Sequence, residues 1–302
     1  MEHLTFILMF LAIGVVLNAT GRMPENASKV LGAWVINVAL PATALHSVHG
    51  ITFDPGWAFA ALTPWIGVAL AIVVFAVVGR AAGWSRQRVG GLVLVAGFGN
   101  TSFVGLPMIA AFAGTQWLPL GLVIDLFGSY LALSTVGLVV ATVCSRRTIS
   151  AGAILRRIGT FPPFIAIVLA LATNHLGRPA LIDDGLAALS ATMTPVALAA
   201  VGCALRFDRL AGMALPITAA LVFRLLVAPA ALLGLYFALV GAGSAAVRDV
   251  TILEMAMPPM LGATIIALEY DLDSDLVALV IGLGIPLSLL TTALWWHLLS
   301  LV

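Results

Sequence analysis

Apolar stretches of about 20 residues follow one another from residue 4 to residue 299, and they leave this chain very few folds. A bilayer core about 30 Å thick needs about that many residues of helix to cross it. In lipid each segment must also satisfy its own backbone N–H and C=O groups, which restricts spanning elements to helices and closed barrels. Only 9% of the 302 residues are charged, too few to cover the surface of a water-soluble domain of this length. The sequence therefore reads as an all-α polytopic membrane protein. Its net charge of +1 gives no basis for a nucleic-acid partner.

Charged and Gly/Pro-rich punctuation cuts the chain into ten spans, near 4–20, 29–48, 57–80, 88–112, 117–144, 160–176, 185–205, 212–240, 247–268 and 275–299. The opening MEHLTFILMFLAIGVVLNA lacks a basic region ahead of its apolar run, so it is expected to be the first span rather than a cleaved signal. Basic residues set the orientation. Arg22, Lys29, Arg80, Arg86, Arg88, Arg146, Arg147, Arg156, Arg157, Arg206 and Arg209 fall on one side, against Arg178 and Arg248 on the other, with Arg224 inside a span. The first side is expected in the cytoplasm and both termini outside. The acidic loop EYDLDSD lies on the cytoplasmic side too, but acids carry little weight in this rule. Cys144 and Cys203 fall near cytoplasmic helix ends, so no disulfide framework is implied.

Five spans precede a short basic loop and five follow it, so the second half must be inserted upside down relative to the first. The division is a first five-helix repeat at 1–144, a loop at 145–159 and a second, inverted repeat at 160–302. Corresponding spans carry corresponding prolines: Pro41 in span two matches Pro195 in span seven, and Pro107 in span four matches Pro258 and Pro259 in span nine. Inverted repeats with interrupted helices at matching positions point to a transporter's binding site. Proline removes one N–H and disrupts the ladder a turn earlier. Where two broken helices cross near the midplane, their N-terminal half-ends offer free N–H groups and partial positive charge, which suits an anion.

The stretch NTSFVGLP at 100–107 resembles the fourth-helix motif of the auxin efflux carrier family. AMPPMLGATIIALEYDLDSD, at 256–275, looks like that family's ninth-helix motif, and NVALPATAL in span two fits its L-P element. The likeness covers nearly the whole chain outside the central loop, which is short, as in bacterial members. It implies ten transmembrane helices in two inverted five-helix repeats, divided between a scaffold and a transport domain. In the latter, helices four and nine cross and an elevator-like movement carries the site. It also implies a homodimer in the bacterial inner membrane that moves small carboxylates such as malate or malonate; an auxin-like indole carboxylate exporter is the alternative. Carried over by position, the substrate site comprises Asn100, Thr101, Gly105, Pro107, Pro258, Pro259 and Gly262. Glu254 is a departure, since the plant carriers look uncharged there.

Ionisable groups inside spans are functional candidates by default. Glu254 serves either to couple transport to a proton or sodium ion or as a structural pair. Arg224 suits a pairing with Glu254 or Asp125, or the second carboxylate of a substrate. Asp125 is a third coupling or gating candidate, or a water-facing helix residue. His46 and His49 form H-x-x-H without a visible third ligand, so no metal is expected. DLDSD at 271–275 lacks the glycine and glutamate of a calcium loop, and Asp275 is expected to cap the last helix. The sequons Asn18-Ala-Thr20 and Asn26-Ala-Ser28 face the cytoplasm in this topology. No nucleophile or metal constellation of an intramembrane enzyme appears, and a channel is usually built around a continuous pore. No cofactor is implied, and without a nucleotide-binding motif the energy for transport must come from a gradient.

Overall fold

The computed structural model describes residues 2–24, 26–49, 54, 56–145, 150–204, 213–241 and 244–302. Arg146, Arg147, Arg206 and Arg209, used above for orientation, lie outside the described residues. The described chain is helical, and its helices fall where the apolar runs fall. Six are long and apolar enough to cross a membrane: α2 (Ala27–Val48), α3 (Trp57–Ala81), α6 (Thr115–Cys144), α9 (Ala180–Cys203), α10 (Ala214–Leu239) and α13 (Ser274–Leu299). α1 (Glu2–Ala19) precedes them, and the short α8 (Pro162–Ala172) lies between α6 and α9. Two expected spans are split into pairs, α4 (Arg86–Gly97) with α5 (Thr101–Phe112), and α11 (Ala245–Met255) with α12 (Leu261–Glu269). The expected loop 145–159 contains a further helix, α7 (Ala151–Gly159). The Ser150 hydroxyl accepts from the Ala153 N–H at 3.2 Å and so starts it.

Pro107, expected to break span four, does not interrupt its helix, and neither does Pro41 in span two. Pro41 and Pro107 each follow a π-helical turn, Val35–Ala39 and Thr101–Gly105, and Pro229 follows a third at Phe223–Val227. A turn one residue wider absorbs the missing donor and lets the helix run on. In α9 the helix does loosen, into a turn at Thr192 three residues before Pro195.

The chain forms two compact units that interleave the halves of the sequence. One comprises Met1–Asp54, Ser102–Leu122 and Leu155–Leu205; the other comprises Pro55–Thr101, Val123–Ile154 and Arg206–Val302. In the first unit, α1 packs on the C-terminal part of α9 with its backbone in contact, since a Cβ at Gly14 would lie on the Ala199 carbonyl oxygen. The Cys203 thiol donates to the Gly14 carbonyl there at 3.4 Å. The Trp34 indole donates to the Thr192 hydroxyl at 3.0 Å, tying α2 to the bend in α9. His46, read above without a visible third ligand, lies 3.2 Å from Asp183, which also takes Arg178 at 2.9 Å.

The second unit has a continuous apolar core built from α3, α4, α6, α10, α12 and α13, with Phe75 edge-on to Phe223 at 5.5 Å. The residue at the N-cap of α13 is Asp273 rather than Asp275, in a left-handed conformation (φ 49°) that aspartate tolerates. Its carboxylate accepts from the Arg88 Nε at 2.6 Å instead of capping the helix.

Candidate functional site

Within the second unit, the gaps between α4 and α5 and between α11 and α12 lie side by side. α4 ends at Gly97, and Phe98 is extended (φ −110°, ψ 125°). Gly99 pairs with Pro259 in an antiparallel bridge, flanked by Asn100 N–H donating to the Pro258 carbonyl at 2.7 Å and Met260 N–H donating to the Phe98 carbonyl at 3.0 Å. Backbone groups orphaned by two helix breaks thus satisfy one another, as burial in a membrane requires. The interruption of span four is therefore at 98–100, seven residues or more before the proline expected to cause it. The reason is local: the wide turn at Thr101–Gly105 accommodates Pro107, whereas Gly99 must let another group pass.

That group is Arg224. It is fully buried in the π-helical turn of α10 and donates from Nε to the Met257 carbonyl at 2.9 Å, from Nη2 to Met255 at 2.7 Å and from Nη1 to Gly97 at 3.4 Å. These carbonyls close the C-terminal ends of α4 and α11, where partial negative charge accumulates. The guanidinium thus serves as a clip on both half-helices, rather than a partner held open for substrate. A Cβ at Gly99 would sit on this guanidinium, and one at Gly284 would lie 2.6 Å from the Pro259 Cδ, so both glycines are required for the close approach. Sequence reasoning missed them; the one signal for Gly99 was a glycine beside a polar residue in GFGN, and Gly284 had none. Gly99→Ala should displace Arg224 and destabilise the protein by about 1–3 kcal/mol, as overpacking does. A thermal melt in detergent checks this, and an unshifted midpoint would contradict it.

The remaining polar groups gather at the same place. Asn100 and Thr101 are each 1% exposed, and the Thr101 hydroxyl donates to the Asp125 carboxylate, which a π-helical turn (Ile124–Tyr130) brings in from α6. Asp125 is thus a buried partner of the break, not a water-facing residue. Glu254, on the last turn of α11, is 0% exposed, and neither carboxyl oxygen has a hydrogen-bond partner. It lies within electrostatic reach of Asp125 and Arg224. Pro258 and Pro259 form the extended segment itself. Gly262 lies in the half-buried first turn of α12, where a Cβ would meet nothing closer than Leu133 at 3.4 Å. Leu261, Gly262 and Ala263 start that helix, so their N–H groups lack carbonyls one turn earlier to bond. Gly105 and Pro107 are buried in the first unit. Among the described residues no three His, Cys, Asp or Glu side chains are grouped to hold a metal ion.

Apolar helices, two of them interrupted and hydrogen-bonded to one another around buried polar residues, fit the class of membrane transporters. A family profile described as "Membrane transport protein" matches residues 1–151 and again 144–296, and the chain belongs to this family, that of the auxin efflux carriers. It is similar to an uncharacterized transporter of Methanothermobacter thermautotrophicus, with 28% identity over 97% of this chain and 96% of the relative. It is likewise similar to an uncharacterized transporter of Methanocaldococcus jannaschii, with 26% identity over 99% of each chain.

Proposed function

We propose that this protein is a secondary carrier of small organic anions, mono- or dicarboxylates, which it binds at the crossing of its two interrupted helices. The observation that carries this reading is the polarity of the crossing. Arg224 compensates the two C-terminal half-ends, while the N-terminal half-ends at Thr101 and Leu261 supply partial positive charge beside the Asn100 amide. In this reading the chain crosses the bacterial inner membrane ten times, as two inverted five-helix repeats with both termini outside. The unit carrying the crossing moves as an elevator, and the assembly is a homodimer. The test is uptake into proteoliposomes from a panel of mono- and dicarboxylates under imposed proton and sodium gradients. Accumulation of at least one carboxylate is expected; transport of neutral or cationic solutes alone would reject the reading.

Glu254 supports coupling to a cation. An ionised carboxylate buried without donors carries a large desolvation cost, so in this reading a proton or sodium ion accompanies it through the closed site. Glu254→Gln keeps the shape and removes the charge. It should abolish gradient-driven accumulation while leaving counterflow exchange largely intact. Equal loss of both would assign Glu254 to structure or substrate binding. Orientation has its own check, in a chain cleared of Cys144 and Cys203. Ser150→Cys should resist an impermeant reagent applied outside intact cells, and Thr115→Cys should react; labelling at 150 would overturn the inverted arrangement.

A further inference from the structure

We propose that the second unit carries a binding site for one anionic phospholipid, in the groove between α3, α4 and α6 at their basic end. The groove has a volume of about 400 Å³. Its floor is apolar, with Ile72 from α3, Val93 from α4 and Val140 from α6, and the exposed Val139 and Val143 form its open edge. Gly79 lets α3 and α4 close beneath it, since a Cβ there would lie on the Val89 side chain. A slot open along its side and lined by branched aliphatic groups suits an acyl chain lying along the helices.

The rim sets the chemistry of the other end. Arg80, Trp84 and Arg86 stand together at the mouth. The Arg80 side chain is exposed, and its guanidinium has no hydrogen-bond or ion-pair partner among the described residues. Arg86 donates one bond, from Nη2 to the Val143 carbonyl at 3.1 Å, which holds its guanidinium over the groove with its other donors available. Other arginines of this unit are matched: Arg88 pairs with Asp273 at 2.6 Å and Arg248 with Asp249 at 2.8 Å. Two guanidinium groups without a carboxylate partner among the described residues, above an apolar slot and beside an indole, fit a phosphodiester headgroup with its chain below. Basic pockets between helices on the cytoplasmic side hold anionic lipids in this way. The site is separate from the crossing and does not depend on which solute is carried.

The test is native mass spectrometry of the full chain in detergent, titrated with dioleoylphosphatidylglycerol or dioleoylphosphatidylcholine. One phosphatidylglycerol should be retained in preference to phosphatidylcholine. At about 1 kcal/mol per basic residue, Arg80→Gln with Arg86→Gln should weaken its retention by roughly 30-fold. Val139→Trp, which fills the groove from its exposed edge, should displace the lipid with both arginines intact. Arg22→Gln with Lys29→Gln removes the same charge elsewhere and should have little effect. Equal retention of the two lipids, or equal losses from the two charge-removing pairs, would reduce the binding to diffuse electrostatics and overturn the proposal. Should the rim variants fail to fold, brominated phosphatidylglycerol still provides a test on the intact rim. It should quench a fluorescence component that disappears in Trp84→Phe, and absence of that component would count equally against the site.

Discussion

Arg224→Met should lower the stability of this protein by about 3–5 kcal/mol, the cost of removing one member of a buried charged cluster. The loss has two parts. Three carbonyls, those of Gly97, Met255 and Met257, lose their donor in a place that water does not reach. The buried Glu254 also loses the positive charge beside it. Lysine should recover only a minor part of the stability, because a compact ammonium cannot reproduce the fork that spans two helix ends. Unfolding in detergent micelles measures all three chains. If Arg224→Met unfolded with the unsubstituted chain, the clip would not hold the crossing together.

The assignment of Arg224 shows where sequence reading reaches its limit. The helices were legible because lipid imposes a minimum apolar length, and charged punctuation falls between segments that meet it. That Asn100, Thr101 and the Pro258–Pro259 pair gather in one place was legible as well, since polar groups inside apolar runs must find partners. The partners themselves were not. Arg224 bonds to backbone carbonyls, which have no signature in a sequence, so pairing it with a carboxylate was the natural expectation. The position of the first break was misread for a related reason. Proline marks a lost donor wherever it stands, but the π-helical turn at Thr101–Gly105 absorbs that loss, and nothing in the residue types announces the wider turn. Gly99, with no side chain to judge, turned out to be where the two segments meet. The two compact units were hidden because proximity between residues 55–101 and 206–302 depends on packing rather than order along the chain.

Asn100 is where the functional reading can be tested hardest. Its backbone N–H is engaged by Pro258 at 2.7 Å, which fixes the residue in the break between α4 and α5. A hydrogen bond from its amide to a bound carboxylate would be charge-assisted and would contribute about 1.5–3 kcal/mol, or roughly 10- to 150-fold in affinity. Asn100→Ala should weaken binding by that factor. Asn100→Asp should weaken it further, since it sets a negative charge against the anion in a buried site. Thr101→Ala should cost less, because the structure commits that hydroxyl to Asp125. The decisive measurement is calorimetric titration of the carboxylate identified by the uptake panel into purified, folded Asn100→Asp and unsubstituted protein. Loss of binding in the variant, with unfolding behaviour unchanged, is the result expected if the anion sits at the crossing; equal affinity of the two proteins would mean that it does not.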